Sequence, residues 1–266
     1  MEIADSFVPT AGVVGILPLV TYFLLVVAVY IFLGTFIAAL TIRPAIPVQR
    51  LWTVLTAIMA AVAALSYYRI QGYYHDMLAE LVTVTDPVNR QVLMRESYNA
   101  IGQYRFMDWA VTIPLLLIQA VTIRTAGAIL PVRMFYTIVA ASFFMILTGY
   151  IGHQQLAFDN EVLIGPKALW GVISLLGYAV LVWRLLLLWK QPVIGIQPTI
   201  QRISQLTTFS IGIFGLVYPL GYFLSLTNID SNLIHILYTV GDIGSKVAMG
   251  LAIYISSRIE DFKPST

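Results

Sequence analysis

Leu237-Tyr-Thr-Val-Gly-Asp-Ile-Gly-Ser-Lys-Val-Ala-Met-Gly250 reads as the middle of an apolar helix, yet it carries Asp242 and Lys246. A spacing of four residues stacks the two side chains on one face, one turn apart. Roughly ten apolar-rich residues flank Lys246 on each side, about 15 Å of helix each way. That depth argues against a lysine snorkelling to a membrane surface. Ionisable groups so deep in an apolar span are costly and mark functional sites. A buried lysine is the natural nucleophile for a carbonyl, forming a Schiff base, and a nearby carboxylate can serve as its counter-charge.

The surrounding chain is built for a bilayer. Of its 266 residues 59% are hydrophobic and 11% charged, with a mean hydropathy of +0.85. That is far too apolar for a soluble domain and points to an all-α, polytopic membrane protein. The absence of cysteine excludes disulfides, thiolate metal sites and cysteine nucleophiles. A net charge of +2 without a basic run gives no sign of nucleic acid. The first apolar segment is far longer than a signal-peptide core and is expected to be retained as a membrane helix.

Hydropathy predicts seven spans, at about 11–41, 48–71, 98–123, 129–152, 162–189, 202–227 and 232–258. They form one seven-transmembrane-helix bundle over residues 1–266. Connections are short except for 72–97, a polar stretch expected to form a loop, with a hairpin or a cover over one mouth of the bundle. With the N-terminus outside, the inner side carries Arg43, Arg50, Arg124, Arg133, Arg184, Lys190, Arg202, Arg258 and Lys263. The outer side has Arg69, Arg90, Arg95 and Lys167. The positive-inside rule therefore places the N-terminus outside and the C-terminus in the cytoplasm. Glu2, Asp5, Asp76, Glu80, Asp86, Glu96, Asp159, Glu161 and Asp230 then lie outside, and Glu260 and Asp261 inside. Two carboxylates remain, Asp108 and Asp242, and both are buried in spans.

Asp108 belongs to a second constellation, Tyr104-Arg-Phe-Met-Asp-Trp-Ala-Val-Thr-Ile-Pro-Leu-Leu-Leu-Ile-Gln119. Arg105, Asp108 and Thr112 share a helix face. Gln119 follows three turns beyond Asp108, about 16 Å nearer the cytoplasm. Taken singly, Thr112 could bond its own helix backbone and Gln119 a neighbouring helix. Beside an Arg, two Asp and a Lys, they read as a polar path through the membrane.

These residues resemble those of the microbial (type I) rhodopsins: seven spans, the run Arg105-x-x-Asp108-Trp109-x-x-Thr112-x-Pro114-Leu-Leu, and Asp242-x-x-x-Lys246 in the last helix. The likeness covers essentially the whole chain. Thr148-Gly-Tyr-Ile-Gly152 and Tyr218-Pro-Leu-Gly-Tyr222 are most similar to the eubacterial proteorhodopsin and xanthorhodopsin branch. The resemblance implies a single retinal-binding domain in the cell's inner (plasma) membrane and a light-driven ion transporter rather than an enzyme. All-trans retinal would be carried on Lys246 as a protonated Schiff base. Asp108 would be the main counterion and first proton acceptor. Asp242 would be the second counterion, held ionised by Tyr67 and Tyr218, with Arg105 on the outer side of both. Trp109, Leu116, Met145, Thr148, Gly149, Trp170, Ser174, Gly215, Tyr218, Pro219 and Tyr222 would line the pocket. Homo-oligomers, trimers or pentamers, are also implied.

Three departures qualify the likeness. Gln119 stands where the family's proton pumps usually have Asp or Glu, so a cytoplasmic carboxylic donor is missing and uptake would be mediated by water. Gly215 replaces a Trp three residues before the Tyr-Pro pair, which removes a bulky wall unless Phe214 or another side chain fills it. Ser66 stands where proteorhodopsin-like members often carry a His bonded to the counterion. Gly171, after Trp170, resembles the glycine that opens a window for a carotenoid antenna in some relatives; close helix packing is the other use of a glycine there.

The resemblance favours an outward proton pump. Chloride pumps replace the counterion Asp with a neutral residue, and sodium pumps place Asn and Asp at the positions of Asp108 and Thr112. A slow-cycling photosensor and an inward proton transporter are the alternatives. His235 and Asp230, near the outer mouth, are expected in surface or loop roles, and His75 and His153 solvated in outer loops or at protomer contacts.

Overall fold

The computed structural model describes residues 7–43, 47–124, 132–158, 160–190 and 198–257. Seven helical stretches are long and apolar enough to cross a membrane. The first, Ile16–Thr41, follows a short turn, Ala11–Val14, and is set off from it by Gly15 at φ 91°. The second, Pro47–Thr83, and the third, Pro87–Arg124, both open on a proline. Its fixed φ suits the first helical position, where the missing N–H leaves no bond unmade. The fourth is Val132–His153, the fifth Ile164–Lys190 and the seventh Ser231–Ser257. The sixth is made of two helices, Pro198–Gly215 and Val217–Leu224, joined at Leu216. Pro219 explains the break, because it cannot donate to the Gly215 carbonyl one turn back.

Residues 72–97 are not a loop. The second and third helices run on through them and leave only 84–86 between. At 37 and 38 residues these helices are about 55 Å long, well beyond a hydrocarbon core of about 30 Å. Their projecting ends hold together in water because Tyr74, Met77, Leu78, Leu81 and Ile101 form one apolar cluster with Leu93 packed on it. The turn is tied at both ends. Asp86 accepts from the backbone N–H of Asn89 at 3.0 Å, starting the third helix. Arg90 Nη1 donates to the carbonyls of Leu81 and Val84, at 2.7 and 3.1 Å, finishing the second.

Each span packs on its neighbour in sequence, and the seventh packs on the first and sixth, which closes the ring. The third is the most buried of the seven. Large apolar side chains such as Phe23, Tyr30, Ile37, Phe143 and Leu169 face outward, as a lipid-facing surface requires. Aspartates and a lysine face inward. The acidic and basic residues expected at Glu2, Asp5, Asp159, Arg258, Glu260, Asp261 and Lys263 lie outside the described residues, as do 129–131 and 258 of the expected spans.

Three expected surface positions are buried instead. His153 and His235 are 4% and 3% exposed, and Lys167 is 0% exposed. His153 lies across Gly102 of the third span, where no side chain stands in its way, and its Nε2 is 3.1 Å from the Asn99 carbonyl. His75 is neither free nor fully solvated: Nε2 is 2.9 Å from the Phe7 carbonyl, and the ring packs on Phe7 and Tyr22. Asp230 is exposed, as expected for a loop residue, and accepts from the N–H of Asn232 at 2.8 Å at the start of the seventh helix.

Candidate functional site

Asp242 and Lys246, one turn apart on the seventh span, meet Asp108 and Arg105 from the third in the middle of the bundle. All four are at most 2% exposed. Lys246 Nζ donates to Asp108 Oδ2 and lies 3.3 Å from Asp242 Oδ1. Arg105 Nη1 is 3.8 Å from Asp242 Oδ2 on the other side. Two cations thus face two carboxylates, so the cluster is neutral as a unit. That is the condition under which charges survive burial.

The two carboxylates differ in their hydrogen bonds. Asp242 accepts from Tyr67 and Tyr218, each at 2.7 Å, and from Trp109 Nε1 at 3.1 and 3.2 Å. Asp108 Oδ2 has, besides the amine, only Thr112 Oγ1 at 3.4 Å, a hydroxyl that donates within its own helix to the Asp108 carbonyl at 2.9 Å, and Oδ1 has no partner among the described residues. Protonating Asp242 would disturb bonds from three donors besides Lys246, whereas protonating Asp108 would disturb chiefly its pair with Lys246. Arg105 is fixed by bonds to Tyr67 Oη at 2.9 Å, Thr239 Oγ1 at 3.0 Å and the His235 carbonyl at 3.3 Å. Tyr67 therefore receives from the arginine while donating to the aspartate.

Beyond the amine the interior turns apolar. One cavity beside Lys246 is walled by Thr112, Leu116, Leu181, Ile211, Gly215 and Ser245. A second, lined by Trp109, Gly149, Ser174, Tyr178, Pro219 and Tyr222, shares Ile113, Met145 and Tyr218 with it. Together they make an elongated, aromatic-walled space between the third to sixth spans with a primary amine at one end. Such apolar walls with an amine at one end are the chemistry that would hold a long apolar aldehyde.

Most expected lining residues stand on these walls; Thr148 and Trp170 do not. Thr148 Oγ1 is 2.6 Å from the Phe144 carbonyl, bonded within its own helix. Trp170 packs where a Cβ on Gly152 would stand. The wall missing at Gly215 is supplied by Tyr178, whose hydroxyl would be 3.8 Å from a Cβ there. Phe214 turns away to fill the space left by Gly244. Tyr178 was within reach of the sequence. Gly171, Ser174 and Tyr178 fall three and four residues apart, so one helix face carries all three.

Gly171 lines the aromatic-walled cavity. The space a side chain would occupy is filled by Tyr222 and Phe223. Tyr222 also covers Gly152, and its hydroxyl donates to the Lys167 carbonyl at 2.8 Å. Both glycines serve close packing. Gln119, fully buried, donates from Nε2 to the Trp52 carbonyl and Thr56 Oγ1, each at 3.1 Å. It ties the third span to the second, about 10 Å along the helix from Thr112.

A family model described as bacteriorhodopsin-like protein matches residues 18–258. The green-light absorbing proteorhodopsin of Gamma-proteobacterium EBAC31A08 is 26% identical over 158 residues, 57% of this chain and 59% of the relative. The match thus spans less than two thirds of that relative's length. Among solved structures, Exiguobacterium sibiricum rhodopsin superposes with a TM-score of 0.69 at 20% identity, covering 91% of this chain and 96% of the other. Xanthorhodopsin, titled a light-driven ion pump with dual chromophore, gives 0.68 at 17% identity, covering 91% and 93%. At such identities these structures speak for the fold. The family model covers nearly the whole bundle, with the amine, both carboxylates and the arginine inside its bounds, and the chain belongs to the bacteriorhodopsin-like family.

Proposed function

We propose that this chain is a retinal-binding, light-driven outward proton pump of the plasma membrane, with Asp108 as the proton acceptor. The observation that carries the reading is the unequal support of two carboxylates around one buried amine. Asp242 is held by Tyr67, Tyr218 and Trp109 and remains the fixed counter-charge. Asp108 shares its Oδ2 between Lys246 and Thr112 and is free to take a proton. Retinal, when bound to Lys246, supplies light absorption and an isomerisation that changes the setting of the nitrogen. Asp108 then receives the proton at Oδ2, and Arg105, anchored on Tyr67 and Thr239, stabilises the charge that remains on Asp242.

Direction follows from orientation. Arg43, Arg50, Arg133, Arg184, Lys190 and Arg202 gather at one end of the bundle, which the positive-inside rule makes cytoplasmic. Arg105 and Asp242 then lie between the amine and the outside. Proteorhodopsin and xanthorhodopsin among the similar proteins support a pump. Assembly into a trimer or pentamer goes with this reading.

Illumination of cells or vesicles supplied with retinal, with external pH followed with and without a protonophore, tests the proposal. Acidification outside is expected. Alkalinisation would establish inward transport, and no change would leave a sensor.

Among the described residues, reprotonation from the cytoplasm has no carboxyl group to draw on. Gln119 does not titrate, and the cavity beside Lys246 meets only Thr112 and Ser245 as polar neighbours at that end. Uptake through water makes the return to the dark state slow and faster at low pH. Flash photolysis checks this; rapid, pH-independent decay would contradict it, and Gln119→Glu is expected to accelerate the return at least tenfold. At Gly171, Tyr222 and Phe223 stand where a side chain would be, which favours close packing over an antenna site. Reconstitution with a hydroxylated carotenoid is expected to add no band to the excitation spectrum for retinal fluorescence, and a new band there would reinstate an antenna.

A further inference from the structure

Among the described residues, five side chains of Asp, Lys or Arg are buried: Arg105, Asp108, Lys167, Asp242 and Lys246. Four of them balance as two cations and two anions, each within 4 Å of an opposite charge. Lys167 is left over. It is fully buried, and among the described residues its Nζ has no hydrogen-bond partner. It also sits in the first turn of the fifth span, where the helix dipole disfavours a cation. The rings of Tyr98 and Tyr222 lie 5.9 and 5.7 Å from Nζ. Cation–π contact with these rings offsets only part of the cost of burying an unpaired ion.

The same two tyrosines wall a small cavity that also meets Arg105, His153, His235 and Ser225, with no carboxylate on its lining. Two nitrogens of these basic side chains, Arg105 Nε and His235 Nδ1, have no partner. The space suits a species of about the size of a water molecule rather than a polyatomic ligand. A wider cavity of about 480 Å³ shares Tyr98 and Ser225 with it.

We propose that this end of the bundle holds a small monovalent anion of the halide class, in the cavity bounded by Arg105, His153 and His235, with Lys167 outside its lining but against the Tyr98 and Tyr222 rings that wall it. The anion compensates the lysine and gives the unpartnered nitrogens an acceptor. The site is separate from the Lys246 amine and stands or falls apart from the pumping reading.

The test uses the purified full chain, without retinal and loaded with it. Sodium chloride or bromide is titrated against sodium sulfate at constant ionic strength. The thermal midpoint of the retinal-free protein is expected to rise and saturate with either halide, with no such rise in sulfate. The loaded protein is expected to show a saturable shift of its absorption maximum. Lys167→Met should weaken apparent halide affinity at least tenfold, whereas Lys190→Met, at an exposed lysine, should leave it unchanged. A wild-type protein indifferent to halide, or Lys167→Met with wild-type dependence, would overturn the proposal in favour of a neutral lysine. Should Lys167→Met not fold, crystals of the wild-type protein soaked in bromide decide: an anomalous peak in the cavity supports the site, and its absence removes it. The retinal-free readout needs no chromophore, so failure here is distinct from failure of the pump.

Discussion

Asp108→Asn is expected to abolish light-driven acidification and to move the absorption maximum of the retinal-loaded protein to longer wavelength. The amide keeps the shape of the carboxyl group but cannot accept a proton from Lys246. A lost proton acceptor costs about a hundredfold or more in the transfer step. Asp242 is a poor substitute, because taking a proton there means giving up bonds from Tyr67, Tyr218 and Trp109. The colour change has an electrostatic cause. A negative charge in contact with the amine stabilises positive charge at the nitrogen in the ground state more than in the excited state, so its removal narrows the gap. A pH electrode and an absorption spectrum read both effects. An Asp108→Asn protein that still acidifies the medium would remove Asp108 from the acceptor role.

Lys246→Ala has the other large effect. It is expected to give a colourless protein that neither takes up retinal covalently nor moves protons. The structural consequence is also large. Asp108 and Asp242 would then share a buried site with Arg105 as the one cation left in the cluster. Asp242 keeps three donors, but Asp108 keeps only Thr112. Removing one partner of a buried pair typically costs about 3–5 kcal/mol, so the retinal-free variant should unfold at lower temperature than the wild-type retinal-free protein. A pigment formed by Lys246→Ala would mean that another amine holds the chromophore, and Lys167 is the other buried one to examine.

The central site could be read before any coordinates because its residues break a strong local rule. A charge in an apolar span is conspicuous, and Arg105, Asp108, Asp242 and Lys246 each stand out against their neighbours. The spacing of helical faces then placed them in pairs. Lys167 and His153 show where that reading fails. Each lies near the end of an apolar run, where a basic residue normally reaches water, and nothing local tells that Tyr98, Tyr222 and Gly102 on other spans enclose it. Burial of this kind is a tertiary fact. The 72–97 stretch fails for a different reason. Hydropathy measures how much of a helix matches the membrane's thickness, whereas Leu78, Leu81 and Leu93 extend the helix pair through water on contacts of their own. At Gly171 and Gly215 a missing side chain was visible, but which neighbour fills it depends on packing: Tyr222 in one case and Tyr178 in the other.

Time-resolved infrared difference spectroscopy after a flash tests the account at its centre. It predicts a protonated-carboxyl stretch that rises as the Lys246 nitrogen loses its proton and is absent from Asp108→Asn. The same band persisting in Asp108→Asn, or lost only when Asp242 is replaced, would place the acceptor elsewhere and contradict the roles assigned to the two carboxylates.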